Sequence, residues 1–285
     1  MPPPDPKPAI LSLQFFAYPD AIGGAWKYTH EVNRRLVERG WPVHLITCKP
    51  SPQFPDKEII DGVTFHRIST KDSKKFFRLG RKLRKKIETL IETESFRLVH
   101  VHNPLIGYLA MKSEVWRDIT NVVHVHSLWQ DEEKINRLGP GTSPTFLSPF
   151  WWRLQFIRYM EGALFRKAGS CLFLSQYMRQ CFLDSFTFKK PRLRVIPGGV
   201  DIEHFKPADS PGDRAALREK LKMDRPTLLT VRRLEPRMGI DRLIDAASQV
   251  RSKRPELDFN LVIIGKGSQA EMLQSKVDSA GLEDR

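Results

Sequence analysis

Apolar positions along the chain alternate between two spacings. Residues 10–16 are almost continuously hydrophobic, broken only by Ser12 and Gln14, which suits a strand buried on both faces of a parallel sheet. The run leads through Tyr18, Pro19 and Asp20 to Gly23 and Gly24. Tyr28, Val32 and Leu36 then recur at helical spacing until Gly40, a residue type that ends helices. Residues 43–47 and 63–68 read as the next strands, with a polar loop at 50–61 between them. Phe76, Leu79, Leu83, Ile87, Leu90 and Ile91 mark one face of a long helix. Strands at 98–101, 121–126, 170–174 and 193–196 alternate with helices at 105–116, 151–167 and 176–185. Residues 131–148, rich in Gly, Pro and Ser, read as a candidate active-site loop. This rhythm predicts an α/β fold with a doubly wound parallel sheet and right-handed crossovers.

The stretch from Val195 to Pro207 carries two consecutive glycines, an acid, an aromatic and a proline, and it separates that series from a second. The second series is a strand at 227–231, a helix at 240–254, a strand at 260–264 and a helix at 268–280. Two parallel strands fall short of the three or more that an independent sheet core needs. The second domain is therefore expected to be partial, with an unpaired edge on its last strand. The expected organisation is an extended tail at 1–8, an N-terminal Rossmann-like domain at 9–197, a crossover at 198–224 and a partial C-terminal domain at 225–285.

Composition narrows the partners. A hydrophobic content of 40% argues against disorder. No apolar run reaches the roughly 20 residues that cross a bilayer, and the proline-rich start lacks the plan of a signal peptide. Cys48, Cys171 and Cys181 are scattered, odd in number and without metal spacing, as expected of reduced cytosolic thiols. The formal charge of +14 favours acidic partners: nucleotide phosphates, anionic lipid or nucleic acid. Lys74, Lys75, Arg78, Arg81, Lys82, Arg84, Lys85 and Lys86 crowd onto the long helix without an acid among them. Such a helix either lies on an anionic membrane or packs on the sheet with a solvated outer face. Nucleic acid ranks last, because aromatic residues do not interleave with the basic run as stacking platforms would.

Four places carry candidate chemistry. Gly23 and Gly24 sit between a strand and a helix, where backbone N–H groups can approach a ligand under the positive end of the helix dipole; a plain tight turn is the other reading. His100, His102, His124 and His126 fall at the carboxyl ends of two strands. Alternation puts His100 and His102 on one face, and His102 and His126 at the sheet edge where ligands bind; hydrogen-bonded structural histidines are the alternative. No acid or cysteine keeps ligand spacing with them, so no metal is expected. Arg232 and Arg233 follow the first strand of the second series and lead into a helix, a position suited to phosphate oxygens or to a solvated basic loop. Gly265 and Gly267 repeat the pattern more weakly, as a turn.

The stretches GGAWKYTHEVNRRLVERGWPVHLIT, RLVHVHNP, VVHVHSLW, CLFLSQYMRQCF, VIPGGVDIEHFKP, LLTVRRLEPRMGIDRLIDA and LVIIGKGS, in that order, resemble the retaining nucleotide-sugar glycosyltransferases of family 4, which have the two-domain GT-B fold. The resemblance implies that Gly23 and Gly24 lie near the donor phosphates and the acceptor, that His126 contacts the transferred sugar and that Arg233 holds the donor diphosphate. It places Gly199 in the crossover turn beside the cleft; Arg232, Arg237 and Gly265 are further candidates on the donor side, and His102, Asn103 and Trp129 on the acceptor side. Met238 stands where the family often has lysine, Arg232 where glycine is common and Gly198 where asparagine is common. Family members also continue into a loop with a glutamate pair that nothing here matches. The implied activity is transfer of a sugar, with retention and without metal or other cofactor, from a nucleotide-sugar to a sugar, lipid-linked or small-molecule acceptor, in the cytoplasm or at the inner face of the membrane. Little turnover is expected from this chain alone; a non-catalytic acceptor- or membrane-binding remnant is the alternative. The sugar, nucleotide and acceptor stay open.

Overall fold

Eight strands pair in one sheet in a computed structural model that describes residues 7–70, 76–113, 115–139, 141–188 and 191–284. They are β1 (Ala9–Leu13), β2 (Val43–Cys48), β3 (Lys57–Ile60), β4 (Val63–Ile68), β5 (Phe96–Val101), β6 (Thr120–Val125), β7 (Ser170–Phe173) and β8 (Arg192–Val195), in the order β3-β4-β2-β1-β5-β6-β7-β8. All pairings are parallel except β3 with β4. β1 and β2 are buried at every position, as expected of central strands covered on both faces.

The connecting helices are α1 (Gly24–Glu38), α2 (Phe76–Ile91), α3 (Pro104–Ala110), α4 (Val115–Asp118), α5 (Trp129–Leu138), α6 (Pro149–Lys167) and α7 (Gln176–Ser185). Strand alternation divides the core in two. Leu11, Leu13, Val99, Val101, Val123 and Val125 join α2, α3 and α6 in one cluster, through residues such as Leu83, Ile106 and Leu164. Ile10, Val43, Leu45, Val63 and Phe65 pack with Leu36 and Val37 of α1 in the other. On the α1 face, hydrogen bonds replace apolar contact beside this second cluster. Asn33 Nδ2 donates to Ser12 Oγ at 3.1 Å and Gln14 Nε2 to Thr29 Oγ1 at 3.3 Å.

Four features differ from the sequence expectations, each for a local reason. The polar loop at 50–61 contains β3, an exposed antiparallel edge strand that turns into β4 through Asp61 and Gly62. Both turn residues have positive φ, 49° and 77°, the conformation that makes Asp-Gly a hairpin signal. The helix expected at 105–116 is two short helices, α3 and α4. The loop at 131–148 begins as helix α5, because the buried carboxylate of Glu161 accepts from the N–H groups of Trp129 (2.7 Å) and Gln130 (3.3 Å), satisfying donors that a helix start leaves open. The stretch 198–224 contains a further helix, α8 (Pro211–Lys220), whose N-cap Ser210 accepts from the Asp213 N–H at 3.1 Å, with proline in its first turn.

The chain divides into two compact units, residues 1–131 with 146–198, and residues 132–145 with 199–285. The second holds β9 (Thr227–Val231), α9 (Ile240–Lys253), β10 (Asn260–Ile264) and α10 (Ala270–Ser279). β9 and β10 form a parallel two-stranded sheet, and Ile240, Ile244, Ala247, Leu273 and Leu282 make a small buried core beside it. Lys74 and Lys75 of the basic run, and residues 1–6 of the tail, lie outside the described residues.

Candidate functional site

The carboxyl ends of β5 and β6 carry four histidines on one side of the sheet. The register pairs His100 with Val122 and Val101 with Val123, so continuing the ladder by one residue sets His102 opposite His124. Period-two alternation then puts His100, His102, His124 and His126 on the α1 face. His100, His102 and His124 are buried, and His126 is half-buried. The rings of His124 and His126 stack at 4.5 Å, those of His102 and His124 at 5.6 Å. His102 Nδ1 lies 3.4 Å from His126 Nε2.

Tyr28 of α1 covers this edge, with ring contacts to His124 at 4.9 Å and His126 at 5.4 Å. Burial pushes its hydroxyl pKa upward. Burial likewise pulls the histidines down: His126 to about 3, with smaller contributions from His124 and His100, His124 to about 4 and His100 to about 3, aided by His124. His102 is lowered as well, first by burial and then by its three neighbours. The group is a neutral imidazole cluster at ordinary pH, because low-dielectric surroundings penalise the cation.

Gly23 and Gly24 lie at the start of α1. Gly23 is its N-cap, with no side-chain cap bond, and a Cβ there would meet the Trp26 ring at 2.8 Å. Gly24 has open space around its Cβ position, so its backbone is approachable where the helix dipole is positive. The turn before it is anchored by Asp20, whose carboxylate accepts from Arg67 Nε at 2.6 Å and from a terminal nitrogen of Arg67 at 2.8 Å, both side chains almost fully buried. The fold thus brings Tyr28, His102 and His126 together, with Gly23 and Gly24 one turn back on the Tyr28 helix.

The other acceptor-side candidates have structural work. Asn103 caps α3, its Oδ1 accepting from the Ile106 N–H at 3.1 Å. Trp129 opens α5 and packs against the large core cluster.

In the second unit, Arg232 and Arg233 are exposed just after β9. Arg237 forms an ion pair with Glu132. Glu235 accepts from Ser268 Oγ at 2.7 Å; that bond first, with Arg233 and Arg237 further down, lowers its carboxyl pKa. Gly265 is more than a turn residue. The Arg232 N–H donates to the Ile264 carbonyl at 3.0 Å, and a Cβ at Gly265 would fall 1.8 Å from the Arg232 carbonyl oxygen. The Leu234 oxygen would stand 2.2 Å from a Cβ at Gly267. Met238 packs against the small core, so its side chain is committed inward. Gly199 has nothing within 4 Å of a Cβ position, and the nearby Asp201 Oδ1 accepts from the N–H groups of Glu203 and His204, each at 3.1 Å.

Sequence reasoning passed over two residues that shape the site. Tyr28 read only as one member of a helix face. Glu161 was hidden inside the hydrophobic stretch of α6, where a lone acid among apolar neighbours was the available signal.

Comparison with known proteins adds the family. The profile described as Glycosyltransferase Family 4 matches residues 22–204, and that described as Glycosyl transferases group 1 matches residues 213–285. A GDP-mannose-dependent alpha-(1-6)-phosphatidylinositol monomannoside mannosyltransferase of Mycolicibacterium smegmatis is 33% identical over 135 residues, 47% of this chain and 34% of that protein. A D-inositol 3-phosphate glycosyltransferase of Geodermatophilus obscurus is 26% identical over 257 residues, 85% of this chain and 53% of its own length. The chain thus matches only part of each curated relative. Among solved structures, a sucrose-phosphate synthase from Thermosynechococcus elongatus superposes with a TM-score of 0.76 at 20% identity, covering 98% of this chain and 69% of that one. Anabaena HepE in complex with UDP and glucose superposes at 0.69 with 18% identity, covering 98% and 68%. The fold is therefore of the GT-B type, and with a family profile spanning well over half of its residues the chain belongs to Glycosyltransferase Family 4.

Proposed function

We propose that this chain acts in the transfer of a sugar from a nucleotide-sugar donor to an acceptor, with retention of the anomeric configuration. One observation carries the reading: His126, a neutral half-buried imidazole, stands just past the end of β6 under Tyr28, within the family-matched segment. Its role is to hydrogen-bond the transferred sugar. A pKa of about 3 makes His126 a poor proton acceptor at neutral pH. The acceptor proton therefore passes to the departing diphosphate as the acceptor attacks from the same face.

Arg233 holds that diphosphate and neutralises its developing charge, with Arg232, Arg237 and the Gly265 turn beside it. Such prepared charge is usually the largest catalytic contribution. The N-terminus of α1, at Gly23 and Gly24, supplies further N–H donors toward phosphate or acceptor. None of these roles calls for a metal or other cofactor. The donor is taken to be GDP-mannose, as in the name of the similar mannosyltransferase, or UDP-glucose, which is bound in another crystal structure of Anabaena HepE. Turnover by the 285-residue chain alone is expected to be weak, because among the described residues the Arg233 turn is backed by a single strand pairing.

A second observation favours an acceptor presented at an anionic membrane surface. Phe77 of α2 and Trp152, Phe156 and Tyr159 of α6 are exposed, and the rings of Phe76 and Phe156 lie 6.0 Å apart, so the two helices share an aromatic face. Arg78, Arg81 and Lys85 are exposed along α2, the arrangement of an interfacial helix. No described helix is long and apolar enough to span a bilayer.

The test incubates the purified chain with GDP-mannose or UDP-glucose and inositol phosphate or phosphatidylinositol mannoside acceptors. Released nucleoside diphosphate is followed, and the product anomer is assigned by proton NMR. Slow release is expected, lowered about a hundredfold or more in Arg233→Ala and His126→Ala. Release indistinguishable between Arg233→Ala and the parent would sink the transferase reading, an inverted product would sink retention, and rapid turnover would sink the expectation of weak activity.

A further inference from the structure

Beyond sugar transfer, we propose that the carboxyl edge of β5 and β6 binds one borderline transition-metal dication of the zinc class, through His100, His102 and His124. One nitrogen from each of these rings lies within 4.8 Å of the others. The three side chains are 7%, 3% and 3% exposed. Nε2 of His100, Nε2 of His102 and both ring nitrogens of His124 have no hydrogen-bond partner. Buried polar atoms without partners are uncommon in native proteins and call for a cause. A cation shared by three imidazoles supplies one, since it satisfies a lone pair on each ring at once.

The donor chemistry selects the ion. All three donors are imidazole nitrogens, which suit zinc, cobalt, nickel and copper; magnesium and calcium require oxygen ligands, and the cluster offers none. Burial keeps the rings neutral, the form in which imidazole ligates. Zinc–nitrogen bonds of about 2.0–2.1 Å put tetrahedral ligand atoms about 3.4 Å apart, so the rings must draw together by side-chain rotation. His102 already has an orienting partner, with its Nδ1 3.4 Å from His126 Nε2, the second contact that metal-bound histidines generally make. Three protein ligands leave a fourth position open for water or an anion. Spacing along the chain gives no hint of such a site, because it depends on the β5–β6 register that sets His102 against His124.

The test titrates cobalt(II) into the untagged, chelator-stripped 285-residue chain. The expected result is uptake of a single cobalt per chain, with the strong visible bands of a nitrogen-rich site of low coordination number, and displacement by zinc(II). His124→Phe should weaken uptake at least tenfold and abolish the bands, with near-UV circular dichroism confirming the fold. His100→Phe is the second variant, used should His124→Phe fail to fold. His44→Gln, whose ring instead contacts His66 and Phe96, should leave uptake unchanged. Absence of the bands in the parent, their persistence in a folded His124→Phe or His100→Phe chain, or their loss in His44→Gln overturns the site.

Discussion

The two compact units reach stability by different means. The first closes an eight-stranded sheet between helices, and Phe65, Phe165, Phe173, Phe182, Leu11, Leu13, Leu45 and Leu83 are completely enclosed in it. Among the described residues the second has two strands, neither with a fully buried residue. Leu228, Leu229, Val231 and Ile264 are exposed. Beside its small core lies a solvent-open cavity of about 300 Å³, lined by Ile244, Ala247, Phe259, Leu261, Ile263 and Val277 among others. One unit is ordered by a sheet that buries both faces. The other is ordered by helix packing and by backbone segments pressed together at Gly265 and Gly267. The charge-bearing arginine turn belongs to the less enclosed unit, and the histidine cluster to the more enclosed one.

The largest test of that contrast is a pair of truncations. Phe165→Ala in the first unit should cost about 4 kcal/mol, since its tightly filled surroundings have little freedom to collapse. Ile244→Ala beside the existing cavity should cost nearer 2 kcal/mol. Hydrogen exchange of amides in β1 and in β9 would read the two separately; equal costs would erase the distinction. Next comes Gly265→Val, expected to destabilise the second unit by about 3 kcal/mol through overpacking against the Arg232 carbonyl while β1 exchange stays unchanged. Loss of protection in β1 would mean that the units unfold as one.

The third test is acid, expected to act mainly on the first unit, where all the lowered histidines lie. Their folded pKa values, about 4 for His66 and His124 and about 3 for His100 and His126, sit below the unfolded value of about 6.5. Above that value both states are neutral and the histidines contribute no pH dependence. As pH falls below it, the unfolded chain takes up protons that the folded one refuses, so stability declines until the folded values are reached. For the metal-free chain each of these four histidines should cost on the order of 3 kcal/mol between pH 6.5 and 4, so the decline is many kcal/mol in sum, read as a fall in the melting temperature of the first unit. A flat profile over that window would show that the histidines are solvated.

Much of the first unit was legible in the sequence, because strands buried on both faces leave apolar runs that period-two and period-3.6 patterns separate cleanly. β3 was missed although Asp61-Gly62 lay in plain view. Its residues are mostly exposed, so no apolar pattern announced them. α5 was missed because its first amides are satisfied by Glu161, some thirty positions downstream, and no local cap marked its start. At the histidines, alternation foretold that His100 and His102 share a face. It could not foretell His124 as their neighbour, since register between strands is decided by packing across the sheet. Gly265 read as a turn because its true constraint, the Arg232 carbonyl, belongs to another segment.

The polar seam between β1 and α1 has a mechanical consequence. Asn33 is tied to Ser12, and Thr29 to Gln14, so two rungs one helical turn apart key the helix to the strand. Sliding α1 by a turn, about 5.4 Å, would break both rungs and leave four buried polar groups facing the wrong partners. The helix therefore behaves as a fixed rail. Asp20 and Arg67 pin the loop leading onto it, which leaves rotation of Tyr28 and of the imidazoles as the freedom with which this edge of the sheet can adapt to what it binds.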